Sequence, residues 1–554
     1  MKISIIRNYM TDVWIFKRKL SNHYDSQTLS SPLLARVKSD AEEMIYILRW
    51  VKDNVDFYPC HLLVITSGTD LLCWHWLNKA TISVFTPDSE KKPRPNYKQI
   101  IIEDMYKDNI NFTGFGDLNV YQGVIQLFDF GYDLSAQVLS SKAAKKLLSL
   151  ANTEKFDLII VDLTGLECVQ GYIHKFGSPP VIGITAYSHP VWNSYATGNT
   201  HNPAYFPEIT LPFSNRMTFK ERLQNLFLHA ITMMYRNIYY MNRVDKMSRA
   251  YFGDDTPHIG SFERNMSIIM VNTHFSFDYP QPHVPAIIPV GGLQLKPAQD
   301  LPQDLKKLMD EAENGFIFFS LGSNLRSDML SEEKRKVFLK AFSTLRCKVF
   351  WKWESDHLPG QPDSRVMSWC ASHPNIRLFI THAGLLSTQE AIYHGVPILG
   401  VPFFADQYTN INKAKDHGFG EKVDFATLTT EILLANIQKI LQNSSRMFEN
   451  LSLKLKLSLP CSSYKENAKR ISQLYKDQPE TPLQRAIFWT EYVLRNNGAH
   501  HLRSSSADMP WYQYLLLDVI AVLATGVILV LLLLYKLLSA VFRLANKTTK
   551  KKQH

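Results

Sequence analysis

The sequence lacks the local motifs that mark most metal and nucleotide sites. Its six cysteines are scattered through 554 residues without a C-x-x-C pair, so disulfides are neither required nor excluded and no metal spacing is present. No G-x-x-x-x-G-K-[ST] occurs and no G-x-G-x-x-G follows a strand-like run, which argues against a P-loop and a dinucleotide fingerprint. We therefore predict no metal site from the spacing of ligand-type residues.

The formal net charge of +10 would suit a nucleic-acid-binding protein, but its distribution argues against that class. No patch of basic and aromatic residues is present. Six cations without an acid lie at the carboxyl end of the chain: Lys536, Arg543, Lys547, Lys550, Lys551 and Lys552. Because they carry most of the excess charge, the body is only mildly basic and we predict no nucleic-acid partner.

An apolar run from about Leu515 to Leu538 is long enough to cross a hydrocarbon layer of roughly 30 Å. Trp511, Tyr512 and Tyr514 precede it as an aromatic belt, and the cations follow it. Because positive flanks stay in the cytosol, we predict a transmembrane helix over 515–538, a basic cytosolic tail over 539–554 and a luminal body.

The final residues, KKQH, match the di-lysine signal that retrieves type I membrane proteins to the endoplasmic reticulum. Sequons at Asn111, Asn265, Asn443 and Asn450 permit a luminal glycoprotein. The first residues hold only a four-residue apolar run, too short for a signal peptide. We therefore predict an atypical N-terminal segment over 1–60 and expect the native start to be missing. The alternative, a tail-anchored protein with a cytosolic body, would place the basic tail in the lumen.

Two sets of short apolar runs alternate with helical patterns. HLLVITS, TISVFTP, FDLIIVDL and PPVIGITA form the first set, and GFIFFSLGS, KVFWKWE, IRLFITH and VPILGVPF the second. This pattern predicts an α/β fold with two Rossmann-like domains, over 61–280 and 298–480. A proline-rich linker joins them over 281–297, and a juxtamembrane helical segment follows over 481–514. The aromatic and methionine-rich span from about 205 to 255 is predicted to be helical and to line or cover an apolar cleft, although ordinary core helices explain it equally well.

The stretch THAGLLSTQEAIYHGVPILGVPFFADQ (381–407) concentrates polar residues at the end of one strand-like run and the start of a helix. A helix start binds anions through its free N–H groups. Gly384 allows close approach, Ser387 and Thr388 add hydroxyl donors, and His382 adds a ring donor. Ser323, at the end of an earlier strand-like run, provides a second turn able to touch phosphate.

Further polar residues of the same stretch suit a sugar nucleotide. Glu390 lies one turn into the helix, where it can accept hydrogen bonds from ribose hydroxyls. Asp406 and Gln407 end the next strand-like run, where they can contact a hexose. The predicted ligand is therefore a nucleotide sugar.

The ordered set HPNIRLFITHAGLLSTQEAIYHGVPILGVPFFADQ, together with TEYVLRNNGAHHLRSSSADMPWYQYLLLDV, resembles the UDP-glycosyltransferases, in the membrane-bound animal branch that includes the UDP-glucuronosyltransferases. The resemblance implies a GT-B fold of two facing domains, with the acceptor in the first half and the UDP-sugar in the second. It also implies inverting transfer without a metal or cofactor. Asp162 matches the family's orienting aspartate, with a strand-end cap as the alternative, and Trp369 matches the residue that stacks on uracil.

Two functional loops depart from the family. The histidine expected directly after the first strand is absent, since SGTD (67–70) stands there. His75 is the nearest candidate base, although a packed helix histidine explains it as well. Before HPN, the segment SWCAS is shorter than in the family and lacks its Pro-Gln pair.

The resulting interpretation is a UDP-glycosyltransferase of detoxification type, anchored in the endoplasmic reticulum. It would move glucose or glucuronate to a small lipophilic acceptor. One alternative is a catalytically impaired UDP-sugar-binding subunit that partners active relatives; another is a soluble-type enzyme of nucleotide-sugar metabolism, against which the membrane segment argues. The acceptor and the oligomeric state, homo- or hetero-, stay open.

Overall fold

A computed structural model describes residues 60–65, 81–87, 96–103, 118–295, 303–322, 325–353, 372–441 and 463–551. The chain divides into two compact units, Met1–Pro59 and Cys60–His554. The fold and the site described below belong to the second unit. The predicted atypical N-terminal segment lies outside the described residues, apart from Cys60.

Seven parallel strands form the first sheet in the order β3-β2-β1-β4-β5-β6-β7. Their bounds are β1 His61–Ile65, β2 Thr81–Thr86, β3 Tyr97–Ile101, β4 Leu158–Asp162, β5 Val181–Ile184, β6 Ile268–Val271 and β7 Ile287–Pro289. Strands β4 and β6 are buried along their whole length, as expected when helices cover both faces of a parallel sheet. The strand order reverses between β1 and β4, and ligands of such sheets bind outside the carboxyl ends at this reversal.

Helices of the first half surround this sheet. They are α1 Val120–Ser140, α2 Lys142–Leu150, α3 Gly171–Lys175, α4 Val191–Thr197, α5 Phe219–Met234, α6 Met241–Phe252 and α7 Ile259–Arg264. Asn119 is the N-cap of α1 and Thr218 is the N-cap of α5, each in a capping box that satisfies first-turn N–H groups. A π turn at Tyr235–Tyr240 joins α5 to α6.

Five parallel strands form the second sheet in the order β12-β11-β10-β8-β9. Their bounds are β8 Phe316–Ser320, β9 Lys348–Trp351, β10 Ile376–Thr381, β11 Ile398–Gly400 and β12 Gly420–Lys422. The order reverses between β8 and β10, so a second ligand position is expected at the carboxyl ends of these two strands.

The remaining helices follow the same alternation and then lead to the carboxyl end. They are α8 Gln303–Asp310, α9 Glu332–Ser343, α10 Leu385–His394, α11 Gln407–Asp416, α12 Thr430–Leu441, α13 Tyr464–Lys476, α14 Pro482–Arg495, α15 Trp511–Tyr514 and α16 Leu517–Lys551. After α13, which packs in the second half, α14 returns to the first half, where Arg485 donates to the carbonyl of Pro289 across 3.0 Å.

Buried contacts hold the two halves together. The ammonium of Lys413 on α11 lies 2.6 Å from the carboxylate of Asp278, and both side chains are more than nine-tenths buried. The hydroxyl of Thr409 donates to the carbonyl of Ile209 across 2.8 Å. A charge pair removed from water is sensitive to the loss of either partner, so these contacts help to fix the relative position of the two sheets.

All eight strands predicted from apolar runs are present. Strands β3, β6, β7 and β12 were not predicted. The segment predicted as a linker over 281–297 contains β7, which pairs with β6. Because β7 is an edge strand, the missing N–H of Pro289 costs no hydrogen bond on its outer side, and a proline is tolerated there.

The predicted helical span from about 205 to 255 begins later than expected. Helix α5 starts at Phe219, because Pro207 and Pro212 interrupt the preceding segment. Several apolar side chains of this span are exposed and are not among the residues that line the cleft: Phe219 is 73% and Ile238 is 69% exposed. Tyr240, by contrast, lines the cleft described below.

Within the described residues, one helix is long and apolar enough to cross a membrane. The most apolar 18-residue window of this segment, Leu517–Arg543, has a mean hydropathy of 2.9 and is not buried against the rest of the chain. It contains the predicted span 515–538 except for its first two residues, and it is consistent with a membrane anchor.

Candidate active site

A cleft lies where the carboxyl ends of the two sheets face each other. It encloses about 1400 Å³ of empty space, counting its open mouth. Most of the polar and glycine residues that line it follow five strands: Thr164, Gly165 and Glu167 after β4; Tyr187 after β5; Gly322 after β8; His382, Gly384 and Ser387 after β10; and Asp406 and Gln407 after β11. The cleft therefore lies at the reversal points of both sheets.

His382 is held between two glycines. It directly follows β10 and is 9% exposed. A Cβ atom on either Gly322 or Gly384 would collide with its imidazole ring, so the close approach of the backbone depends on both glycines. Burial, with a smaller contribution from the Lys352 cation, lowers the pKa of His382 to about 4. At neutral pH the ring is therefore uncharged and can donate one N–H hydrogen bond.

The amino end of α10 opens into the same region. Gly384 is its N-cap and has no side chain to cap the first turn. Leu385, Leu386 and Ser387 of that first turn line the cleft. First-turn N–H groups and the helix dipole together favour an anion at this position.

Thr388 and Glu390 are placed differently from the other predicted donor-site residues. Thr388 is fully buried, and its hydroxyl donates to the carbonyl of Gly384 across 3.0 Å. Neither residue is among those that line the cleft. Burial raises the pKa of the Glu390 carboxyl to about 7. Their assignments to phosphate and ribose stay predictions.

Asp406 and Gln407 lie at the cleft and begin α11. Burial raises the pKa of Asp406, although the hydrogen bond from Asn410 and the Lys413 cation oppose this effect. The side-chain carbonyl of Gln407 accepts from the N–H groups of Phe403 at 2.7 Å and Phe404 at 3.2 Å. The amide nitrogen is thus the end of Gln407 that can donate to a ligand.

The opposite wall of the cleft is apolar. It comes largely from the first half and includes Leu127, Phe128, Phe130, Leu134, Trp192, Ile209 and Tyr240. Such a surface binds apolar groups through burial and gives few hydrogen bonds. The cleft therefore has a polar end on the second sheet and an apolar wall on the first.

A buried charge cluster supports this apolar wall. Glu167 accepts a hydrogen bond from the Tyr240 hydroxyl across 2.5 Å and lies 3.9 Å from Arg236. Arg236 in turn lies 2.5 Å from Glu263. Burial raises the pKa of Glu167 and Arg236 opposes the rise. Glu167 and Tyr240 both line the cleft.

Asp162 ends β4 and is 5% exposed. Its carboxylate accepts from the N–H of Thr164 across 3.0 Å, which is the turn-capping role weighed against a catalytic one. The two roles are compatible, because a carboxylate has several acceptor positions. Of the other predicted residues, His75, Ser323 and Trp369 lie outside the described residues, so their assignments stay predictions.

Asn410, Tyr187 and Glu167 are among the residues at the site that were not predicted from the sequence. Asn410 is one turn after Asp406, and this spacing on one helix could have identified it. Tyr187 lies three residues after β5 and Glu167 five after β4, which are positions where parallel strands deliver ligand contacts. The apolar neighbours of Glu167 in the sequence concealed this signal.

Comparison of the sequence with known protein families identifies the family of this chain, since a cleft between two such sheets is not specific to one family. The model of the family described as "UDP-glucoronosyl and UDP-glucosyl transferase" matches residues 96–552. This chain belongs to the UDP-glycosyltransferase family. The family predicted from the motifs is thereby confirmed.

The chain is similar to UDP-glycosyltransferases of insects and mammals. It is 36% identical over 450 residues to UDP-glucosyltransferase 2 of Dactylopius coccus, covering 80% of this chain and 84% of that protein. It is 30% identical over 420 residues to UDP-glucuronosyltransferase 2B7 of Homo sapiens, covering 74% of each.

The fold is shared with solved glycosyltransferases. A complex between a UDP-glucosyltransferase from Polygonum tinctorium, capable of glucosylating indoxyl, and 3,4-dichloroaniline superimposes with a TM-score of 0.50. The identity is 14%, and the match covers 79% of this UDP-glycosyltransferase and 99% of that chain. The predicted GT-B fold is confirmed.

Proposed function

We propose that this UDP-glycosyltransferase transfers a hexosyl group from a UDP-sugar to a small lipophilic acceptor, with inversion and without a metal or cofactor. The observation that carries the proposal is the single cleft that joins the open amino end of α10, beside His382, to the apolar wall around Phe128 and Trp192. The first end suits a diphosphate and the second suits an apolar acceptor.

In the proposed reaction the acceptor oxygen attacks the anomeric carbon from the side opposite the diphosphate. The new carbon–oxygen bond forms as the bond to the diphosphate oxygen breaks, and the bonding electrons leave with UDP. The acceptor proton passes to a base, for which His75 is the candidate and Asp162 its orienting partner. One transfer of this kind inverts the anomeric configuration.

The donor half would stabilise the leaving diphosphate. The neutral imidazole of His382 donates one hydrogen bond, and the first-turn N–H groups and Ser387 add further donors. These groups are fixed in place before the reaction, because the imidazole is confined between Gly322 and Gly384. Ser323 would add a phosphate contact, Trp369 would stack on uracil, and Glu390 would accept from ribose hydroxyls.

The described lining favours a neutral hexose such as glucose over glucuronate. Among the described residues that line the cleft there is no Lys or Arg, whereas Asp406 and Glu167 are acidic. A hexuronate carboxylate at that end would need a cation to balance it. Asp406 and the Gln407 amide would instead contact sugar hydroxyls.

We propose residence in the endoplasmic reticulum membrane with the body in the lumen.

A direct test uses the full chain in membranes with a phenolic acceptor such as 4-nitrophenol and either UDP-glucose or UDP-glucuronate. The expected product is the β-glucoside, formed faster from UDP-glucose, in the presence of a chelator. The anomeric proton coupling in the product's NMR spectrum reports the configuration. An α-glycoside, or dependence on an added divalent ion, would contradict the proposed mechanism.

A second function is favoured by one feature of the sequence. Ser67, Gly68, Thr69 and Asp70 stand where the family carries its base, which suits a UDP-sugar-binding subunit that supports active relatives. It predicts saturable UDP binding with no turnover over a broad acceptor panel. Activity that is abolished in His75→Ala, while UDP binding is unchanged, would exclude this alternative.

A further inference from the structure

Two histidines and a glutamate meet outside the cleft, where the loop that joins α4 to α5 packs on α5. His201 and Glu208 belong to this loop, and His229 lies on α5. Their nearest ligand-type atoms all lie within 4.8 Å of one another. The exposed fractions are 9%, 4% and 8% respectively, so three potential metal ligands are buried together.

His201 carries two buried ring nitrogens without a hydrogen-bond partner among the described residues. Its ring lies edge-on to Phe206, with centroids 4.7 Å apart, and is stacked on His229 at 5.1 Å. Buried polar atoms are normally paired. An imidazole that is more than nine-tenths buried and unpaired among the described residues therefore indicates that a ligand belongs beside it.

The other two residues of the cluster are already in contact with each other. His229 Nδ1 lies 2.9 Å from Glu208 Oε1, and the Tyr195 hydroxyl lies 3.3 Å from His229 Nε2. The loop is held on α5 by the side chain of Asn225, which donates to the carbonyl of Phe206 and accepts from the N–H of Glu208. Glu208 and His229 are therefore fixed against each other by backbone anchors.

We propose that His201, Glu208 and His229 bind one zinc ion, with water as the fourth ligand. Two imidazoles and one carboxylate are a ligand set that zinc accepts at distances of roughly 2.0–2.2 Å. A tetrahedral ion of this size brings ligand atoms to roughly 3.4 Å from one another. Small side-chain rotations, chiefly of His201, close the existing cluster to that spacing.

The ion would act on the position of the loop and take no part in the transfer. Glu208 is followed by Ile209, which lines the cleft and whose carbonyl accepts from Thr409 of the second half. Zinc would thus clamp the loop to α5 next to a contact between the halves. This inference does not depend on the proposed reaction, and the cluster shares no residue with the predicted donor site.

The test uses the full chain purified in detergent with an affinity tag that contains no histidine. After treatment with a chelator and removal of the chelator, the protein is dialysed against zinc and then against metal-free buffer. We expect one zinc per chain by elemental analysis. With free zinc about 100-fold above the dissociation constant, the midpoint of thermal unfolding should rise by about 5 °C.

Two variants and a control assign the ion to this cluster. His201→Leu removes a ligand while keeping apolar packing against Phe206, and Glu208→Gln keeps the hydrogen-bond acceptor for His229. Both should lose the bound zinc and the rise in midpoint. His174→Ala, which removes a partly exposed histidine paired with Asp255, should keep both. A folded wild-type chain that holds no zinc, or a rise that persists in both variants, would overturn the proposal.

Discussion

The side-chain amide of Asn410 donates to the carboxylate of Asp406 across 2.8 Å, one helical turn away. The same nitrogen lies 3.2 Å from the carbonyl of Ala383. Ala383 and Ala405 both have left-handed backbone angles, with φ of 64° and 53°, which non-glycine residues rarely adopt. Asn410 therefore links two strained loops through its hydrogen bonds, one loop carrying His382 and the other Asp406.

Loss of these two hydrogen bonds of Asn410 should weaken binding of the UDP-sugar. Asn410→Ala leaves the Ala383 carbonyl and the Asp406 carboxylate without a shared donor, and we expect KM for the UDP-sugar to rise about 10-fold. KM for the acceptor should change less than about twofold. Asn436→Ala is the control, because its side chain bonds only to its own helix among the described partners. Equal changes for both substrates would contradict the proposed division of the cleft.

Asp406 is predicted to contact the sugar. Asp406→Ala should raise KM for the donor by roughly 10- to 100-fold, the loss expected for a hydrogen bond to a charged group, with little change for the acceptor. Steady-state kinetics with each substrate varied in turn give both values. If only the acceptor dependence changes, the assignment of Asp406 to the sugar is wrong.

Gly384 should tolerate no side chain, although its backbone angles are ordinary. It has φ of −60° and ψ of 147°, so alanine introduces no backbone strain there, and the collision of its Cβ with His382 is the expected effect. We expect Gly384→Ala to weaken UDP binding at least about 10-fold, equivalent to about 1.4 kcal/mol.

The matched control is Gly123→Ala on α1, where a Cβ would meet nothing within 4 Å. That exchange should leave UDP affinity unchanged and slightly raise the midpoint of thermal unfolding. Wild-type UDP affinity in Gly384→Ala would show that His382 and the start of α10 do not hold the diphosphate.

Glu390 should make stability depend on pH. Burial raises the pKa of its carboxyl from 4.5 to about 7, so between these values the folded chain holds a proton that the unfolded chain has lost. The free energy of unfolding therefore falls as pH rises through this window. Because the side chain is partly exposed, we expect a loss on the order of 2 kcal/mol.

Glu390→Gln removes this titration. The midpoint of the variant minus that of the wild type should increase by a few degrees between pH of about 5 and about 8, because all other groups titrate alike in both. A difference that is constant with pH would place the Glu390 carboxyl in water and contradict the burial on which this prediction depends.

The sequence predicted the two sheets because most of their central strands are short, continuous apolar runs, which are typical of parallel strands buried on both faces. It missed the edge strands β3, which has a single fully buried residue, and β12, the triplet Gly420–Lys422 with two charged residues. It also missed the central strand β6, which is buried along its whole length but offers an apolar run of only four residues. The predicted donor residues His382, Gly384, Ser387, Asp406 and Gln407 line one cleft, because parallel strands deliver their carboxyl ends to the same edge.

Sites assembled from distant positions were not readable. His201, Glu208 and His229 have no spacing that marks a metal ligand set, and a loop must fold back on α5 to bring them together. Glu167 stands in an apolar stretch, and its charge is balanced by Arg236 from another helix. Such pairs depend on tertiary packing and leave no local pattern.

Calorimetric titration of UDP into the full chain in detergent, near neutral pH and without added divalent metal, tests the central claim most directly. We predict saturable binding of one UDP per chain, unchanged in His75→Ala and at least about 10-fold weaker in Gly384→Ala. The absence of saturable binding in a folded sample would mean that the cleft beside His382 is not a UDP-sugar site.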